Sequence, residues 1–313
     1  MQTRSLGRTD LRLSEITLGT WGLAEQSYGP VTPERFDEVV RAAIDQGITT
    51  FDVAPLWGNG ESERRVGRLL NEASSIESVV ITRGGARRVD GKLVTGFTAK
   101  ELIADCEGSL ERLGREHIDV WLLHNPGDAV LRGEEWRSAI EFLEQNGMIR
   151  AWGVSVGDAD EARVAIQAGA QALSMPYNLL GPQDLEDLAP ELAVSGCGVL
   201  ARSPLAYGML AGQWADSRVF PPEDHRGRRW GYAAFSERIR HVNALRFLVG
   251  AQHPDLATAA LRFVLTQSKV TTAMVGARSV AQVLSAAQAA NGPPYLSDDD
   301  LMRLAKVRDH AGI

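Results

Sequence analysis

Short apolar runs alternate with helical patterns from one end of this 313-residue chain to the other, and that alternation narrows its possible folds more than any one motif. Candidate strands fall at Ile16–Gly19, Thr49–Asp52, Val79–Thr82, Ile118–Leu123, Ala151–Ser155, Ala172–Met175, Gly198–Ser203 and Thr272–Val275. Eight parallel strands close a barrel whose interior is just filled by side chains. The helices between them have readable ends. Thr32 is an N-cap ahead of Pro33, and Gly47 stops that helix. Thr98 and Glu101 have capping-box spacing, and Asp158 caps a helix that Gly169 ends. Ser297 precedes Asp298, Asp299 and Asp300, which favour the positive end of a last helix. The expected architecture is an α/β fold, a (β/α)8 TIM barrel forming one domain over residues 1–313, with an extra C-terminal helix.

Composition excludes more than it assigns. A formal charge of −7 and a pI near 5.5 leave no basic face of the kind nucleic acid requires. No apolar run approaches the ~20 residues that span a bilayer. Met1-Gln2-Thr3-Arg4-Ser5-Leu6 lacks the apolar core of a signal peptide. The two cysteines, Cys106 and Cys197, sit in apolar patterns and read as reduced interior residues of a cytoplasmic protein. No metal site is expected. The longest irregular stretch, Trp214–Ser236, carries Arg218, Arg226, Arg228, Arg229, Trp230 and Tyr232. A loop of that length is either a solvated lid or a flap that touches cofactor or substrate.

Several motifs stand in a telling order. Leu6-Gly7-Arg8-Thr9-Asp10-Leu11 precedes Leu18-Gly19-Thr20-Trp21, and Phe51-Asp52-Val53-Ala54-Pro55-Leu56-Trp57-Gly58 follows. Further on come Ile118-Asp119-Val120-Trp121-Leu122-Leu123-His124-Asn125-Pro126, Ile149–Ser155, Ser203-Pro204-Leu205-Ala206-Tyr207-Gly208-Met209-Leu210-Ala211-Gly212 and Val275-Gly276-Ala277-Arg278-Ser279. Together they resemble the aldo-keto reductase family over nearly the whole chain. The resemblance implies an opening N-terminal hairpin, NADPH extended across the C-terminal mouth, and reduction of a small-molecule carbonyl. It also implies a site of aspartate, tyrosine, lysine and histidine. In that site tyrosine protonates the carbonyl oxygen, lysine lowers the tyrosine's pKa, aspartate pairs with lysine, and histidine orients the substrate.

Carried over position by position, the aspartate is Asp52 and the histidine is His124, but the tyrosine falls on Trp57 and the lysine on Arg83. An indole N–H donates a hydrogen bond without giving up a proton near neutral pH, and a guanidinium is effectively never deprotonated. Asp52 and Arg83 also read simply as a buried ion pair, Trp57 as an aromatic wall, and His124 as an interior histidine at the face where barrel enzymes work.

For the cofactor, the resemblance implies a phosphate loop at Ser203, Leu205 and Gly208, with Gly276 and Arg278 near a ribose phosphate. Ser155 and Ser174 fall where amide-holding side chains are usual, Val156 offers no polar group, and Arg202 replaces an aromatic ring. Ser285-Ala286 stands in place of a Glu-Asn pair near adenine. Trp21, Tyr28, Trp57, Asn125 and Trp230 are candidates to line a substrate pocket. Three functions remain open. One is NADPH-dependent carbonyl reduction with Tyr28, His124 or water in place of the phenol. Another is redox-neutral chemistry (lyase, dehydratase, isomerase or cyclase) using Asp52, Arg83 and His124, and the third is non-catalytic binding.

Overall fold

A computed structural model describes residues 1–24, 27–73 and 77–313. Its strands are β1 (Thr3–Ser5), β2 (Arg12–Ser14), β3 (Ile16–Gly19), β4 (Thr50–Asp52), β5 (Val79–Gly84), β6 (Ala86–Val89), β7 (Lys92–Thr95), β8 (Ile118–His124), β9 (Ile149–Ser155), β10 (Ala172–Pro176), β11 (Gly198–Arg202) and β12 (Val270–Val275). Eight of them close in the order β10-β11-β12-β3-β4-β5-β8-β9, and every pair in the ring is parallel. Helices follow the barrel strands, so the fold is a (β/α)8 TIM barrel.

Strand periodicity divides the core in two. In β8, Val120 and Leu122 join the cluster inside the barrel, while Trp121 and Leu123 pack outward under the helices. In β5, Val79 and Ile81 point inward and Val80 outward. Both faces are apolar because helices cover the outside and side chains fill the lumen, which is why these strands read as continuous apolar runs. The N-terminal hairpin β1–β2 plugs the lumen from below. Its Leu6, Leu11 and Leu13 are at most 2% exposed and pack against Val79, Ala151 and Ala172 at the strand starts. Ser14 Oγ accepts the Thr49 and Thr50 N–H groups at 3.2 and 3.1 Å, tying the hairpin to β4. Buried Glu15 accepts the Tyr295 hydroxyl at 2.5 and 2.6 Å and pairs with Arg4 at 2.7 Å.

The capping expectations hold. Thr32, Asp158 and Ser297 each accept a first-turn backbone N–H, and Thr98 with Glu101 forms the reciprocal box. The last helix runs Asp298–Ala311. Some expectations need correction. The strand expected to reach Ser203 ends at Arg202, because Ser203 turns to φ 55. The stretch Trp214–Ser236 is not wholly irregular: a 3-10 turn spans His225–Arg228, and a helix begins at Tyr232. The antiparallel hairpin β6–β7 was not anticipated from the sequence; it turns through Asp90 and Gly91, both left-handed at φ 50 and 76.

Candidate active site

The inward alternation that fills the lumen continues to its C-terminal rim and changes chemistry there. The apolar rungs of β5 and β8 are followed by Arg83 and His124, and the same face of β4, β9 and β11 ends at Asp52, Ser155 and Arg202, with Ser174 two residues before the end of β10. Strand register, not loop geometry, therefore sets these six side chains around one mouth.

Asp52 and Arg83 form a buried ion pair on neighbouring strands, their side chains 7% and 5% exposed. The Arg83 guanidinium lies over the Trp57 ring, 4.9 Å from its centroid. Its Nη1 donates to Ser155 Oγ at 3.4 Å, while its Nε is buried without a partner. Burial pushes the Asp52 carboxyl up to about 6, although Arg83 pulls the other way. Trp57 is 8% exposed and is placed by the turn after β4, where its N–H reaches Ala54 O at 3.1 Å. Gly60 must be glycine at the end of that turn. It sits at φ 84, and a Cβ would lie 2.6 Å from the Arg112 side chain.

His124 pairs with Ser155 in the ladder between β8 and β9. Desolvation, reinforced by the Arg83 and Arg202 charges, pushes its pKa down to about 3, so the imidazole is neutral at physiological pH. Its Nδ1 is buried without a partner. A neutral ring keeps an N–H to donate without adding charge to a cationic site.

Arg202 reaches back across the mouth, where Nη2 donates to Val156 O at 2.6 Å and Nε is buried and unpartnered. Ser174 Oγ contacts Met274 Sδ at 3.8 Å. Beyond β11 the chain winds through left-handed residues at Ser203, Ala206, Tyr207 and Gly208. In this loop the Ala206, Gly208 and Leu210 N–H groups close internal turns onto Ser203 and Leu205. Gly276 faces open space where a side chain would stand. Arg278, which the resemblance puts near a ribose phosphate, donates to Tyr28 O at 2.8 Å, Gly29 O at 2.9 Å and Pro30 O at 3.3 Å. Its guanidinium pins the 28–30 backbone because three carbonyls converge on that planar fork.

Aromatic residues form the rim. Trp21, Tyr28 and His225 meet edge to face, with centroids 4.7–5.3 Å apart. Tyr207 stands 5.7 Å from His225 and 6.2 Å from Trp230. Asn125, just past β8, is left-handed at φ 48. The site thus gathers Asp52, Trp57, Arg83, His124, Ser155 and Arg202, with Trp21, Tyr28 and Trp230 further out. Sequence reasoning did not single out Asp224 and His225 as rim residues, whereas Tyr207 stood in the loop motif and Arg229 in the stretch read as a lid or flap. Asp224 pairs with Arg226 at 2.5 Å and bridges to Tyr28, while Arg229 donates to the Tyr207 hydroxyl and covers its ring. The one signal available was the aromatic and basic density of the segment after Gly212.

The sequence profile of the Aldo/keto reductase family matches residues 15–309. Aldo-keto reductase YhdN of Bacillus subtilis is 29% identical, covering 90% of this chain and 87% of that protein. L-glyceraldehyde 3-phosphate reductase of Escherichia coli O157:H7 is 30% identical, covering 99% and 92%. A probable voltage-gated potassium channel subunit beta of Oryza sativa is 26% identical, covering 98% and 96%. Glycerol dehydrogenase AKR11B4 from Gluconobacter oxydans superposes with a TM-score of 0.86 at 26% identity, over 99% of this chain and 95% of that one. The holo form of aldo-keto reductase AKR11C1 from Bacillus halodurans gives 0.82 at 26%, over 98% and 96%. The barrel is therefore that of a known lineage, and the chain belongs to the aldo/keto reductase family.

Proposed function

We propose that this chain reduces small-molecule carbonyl compounds with NADPH, using a site in which Trp57 and Arg83 replace the tyrosine and lysine of the family's tetrad. The observation that carries the reading is His124, which ends β8 at the rim with a buried, unpartnered Nδ1 and is kept neutral by burial and by the Arg83 and Arg202 charges. A carbonyl oxygen that gains negative charge there meets an N–H donor and a fixed positive field, with little reorganisation needed. Trp57 supplies no proton. It covers Arg83, keeps water from that side and holds the guanidinium in place. The proton then comes from water at the mouth.

The residues fit a nicotinamide cofactor better at its phosphates than at its ring. Left-handed Ser203, Ala206, Tyr207 and Gly208 bend the backbone around Leu205 as an anion cradle does, and Gly276 leaves room for close approach. At the ring end, Ser155 and Ser174 offer only short hydroxyls, and Arg202 is tied to Val156 O. Bound there, the cofactor would supply hydride.

A second reading is favoured by Asp52. Its pKa of about 6 places a carboxylate near the range useful to a general base. A redox-neutral enzyme on this barrel would use Asp52, Arg83 and His124 for proton transfer and charge stabilisation.

Titration of NADPH and NADH, read by tryptophan fluorescence, separates the two readings when paired with NADPH oxidation over a panel of aldehydes. The reductase reading expects NADPH binding and slow oxidation. It also expects Trp57→Tyr with Arg83→Lys to raise that oxidation by about 10²-fold or more, the usual gain from a general acid. Binding of neither cofactor moves the assignment to redox-neutral chemistry. Bound NADPH with no gain in the double variant defeats the idea of a weakened acid.

A further inference from the structure

We propose that residues 27–30 and 224–226 form a clasp beside the mouth that mild acid opens, with His225 as its titrating pin. The clasp stands on contacts within the protein alone, and only its consequence for NADPH rests on the reading above.

The two halves come from the loops after β3 and β11, strands separated in the ring by β12 alone. The His225 N–H donates to Ser27 O at 2.8 Å, and Tyr28 bridges antiparallel to Asp224. Arg226 Nε donates to both Asp224 carboxylate oxygens at 2.8 and 3.0 Å, and its guanidinium lies 4.7 Å from the centre of the Tyr28 ring. From the loop after β12, Arg278 holds the carbonyls of residues 28–30. The two halves thus join across the position of β12, whose following loop carries Gly276. A cofactor lying along Gly276 and the Ser203–Gly208 loop is released by parting them. One backbone bond, one bridge and a few ring contacts make a local closure of this kind easy to unbalance.

The pin is placed against positive charge. Its ring meets Trp21, Tyr28 and Tyr207 with centroids 4.9, 4.7 and 5.7 Å away, and its Nε2 is buried without a partner. Trp21 brings no charge, and Tyr28 and Tyr207 bring phenol rings. Arg226 and Arg229 are cations of the same loop, and Arg278 stands 5.8 Å behind the Tyr28 ring. Asp224, the carboxylate acting on the pin, is already committed to Arg226. Desolvation, with the Arg229 and Arg226 charges, therefore holds the imidazole pKa below its ordinary value, while Asp224 pulls the other way. Once the clasp opens, the ring reaches water and titrates near the ordinary value of about 6.5. The open form takes up a proton that the closed form resists. Closure is accordingly full above that value and weakens as pH falls through it, by at most about tenfold per pH unit for one proton.

Hydrogen exchange on the protein without cofactor tests the clasp. Protection of the His225 amide, taken against its intrinsic rate at each pH, reads the closing equilibrium. From about pH 7.5 to about pH 5.5, wild-type protection should fall about three- to tenfold while amides of β12 keep theirs. His225→Phe keeps a ring in the aromatic cluster and removes the proton, so its protection should stay level. His225→Gln serves the same purpose should the phenylalanine protein fail to fold. Level protection in the wild type overturns the inference. An equal fall in a folded variant also overturns it, because another group would then be titrating. Protection that rises in acid does so too, since the rings would then favour the imidazolium. Stopped-flow release of NADPH, read by tryptophan fluorescence, tests the consequence: acid should speed release in the wild type and not in the variant. Release indifferent to pH while the clasp opens overturns its role as a gate. No NADPH binding at any pH, with exchange as expected, leaves the clasp standing and sinks the reductase reading.

Discussion

His124 and Asp52 titrate in opposite directions for the same reason, since burial penalises whichever form is charged. The histidine falls to about 3 and the aspartate rises to about 6. Below about pH 6.5 the unfolded chain protonates His124 and the native state does not, so this residue lowers stability as pH falls toward 3. Asp52 behaves inversely. Between about 4 and 6 the native state holds a proton that the unfolded chain has released, so its contribution is lost as pH rises. The two slopes partly cancel in wild-type protein. His124→Gln removes one of them, and denaturant unfolding from pH 7 to pH 5 should expose it. The variant should gain on wild type by about 1 kcal/mol per pH unit on the acid side. A constant difference between the two proteins across that range would mean that His124 titrates alike in the folded and unfolded states.

Among the elements, the hairpin β6–β7 beside the mouth is the most local. Its two-residue turn needs left-handed backbone at both Asp90 and Gly91, and Gly91 has open space around it. Gly91→Val would therefore meet conformational strain without collision, at a cost of about 1–2 kcal/mol. Amide exchange should accelerate across residues 86–95 while the global melting temperature holds. A matching fall in melting temperature would show that the hairpin is part of the cooperative core. This hairpin also marks where the sequence stopped being legible. Parallel strands buried on both faces announce themselves as unbroken apolar runs, whereas Ala86-Arg87-Arg88-Val89 carries two cations and has an exposed partner strand. Its Asp-Gly turn was present in the sequence, but Arg87-Arg88-Val89 before it and Lys92-Leu93-Val94 after it do not alternate apolar with polar. The polar rim divides in the same way. Asp52, Arg83, His124 and Arg202 end strands whose register can be read from alternation. Tyr207, His225 and Arg229 come from loops without a period, and no pattern shows that Arg278 would turn to the carbonyls of residues 28–30.

Across the molecule, the lumen is a packed column, largely apolar but crossed by the buried Thr17–Thr272 hydrogen bond, between a floor and a mouth. The floor is the N-terminal hairpin, and Leu13 is 0% exposed within it. Leu13→Ala should destabilise the barrel by about 2–5 kcal/mol, the usual cost of an apolar truncation in a packed core. Ligand affinity at the mouth should stay within about twofold, because sites without shared contacts behave almost additively. Urea unfolding alongside cofactor titration checks both parts. A marked loss of affinity would mean that the floor and mouth are mechanically joined through the column.

The plugged floor has a practical side. Asp10, in the hairpin turn, has a side chain 79% exposed, and its one ion pair, to Arg150 at 3.2 Å, is a surface contact of little energetic weight. Both native cysteines are buried free thiols pushed up to about 12, which leaves them poor nucleophiles. A thiol introduced as Asp10→Cys would then be the reactive handle for a maleimide or a gold surface. Protein attached by it would stand with its mouth toward the solution, every copy oriented alike.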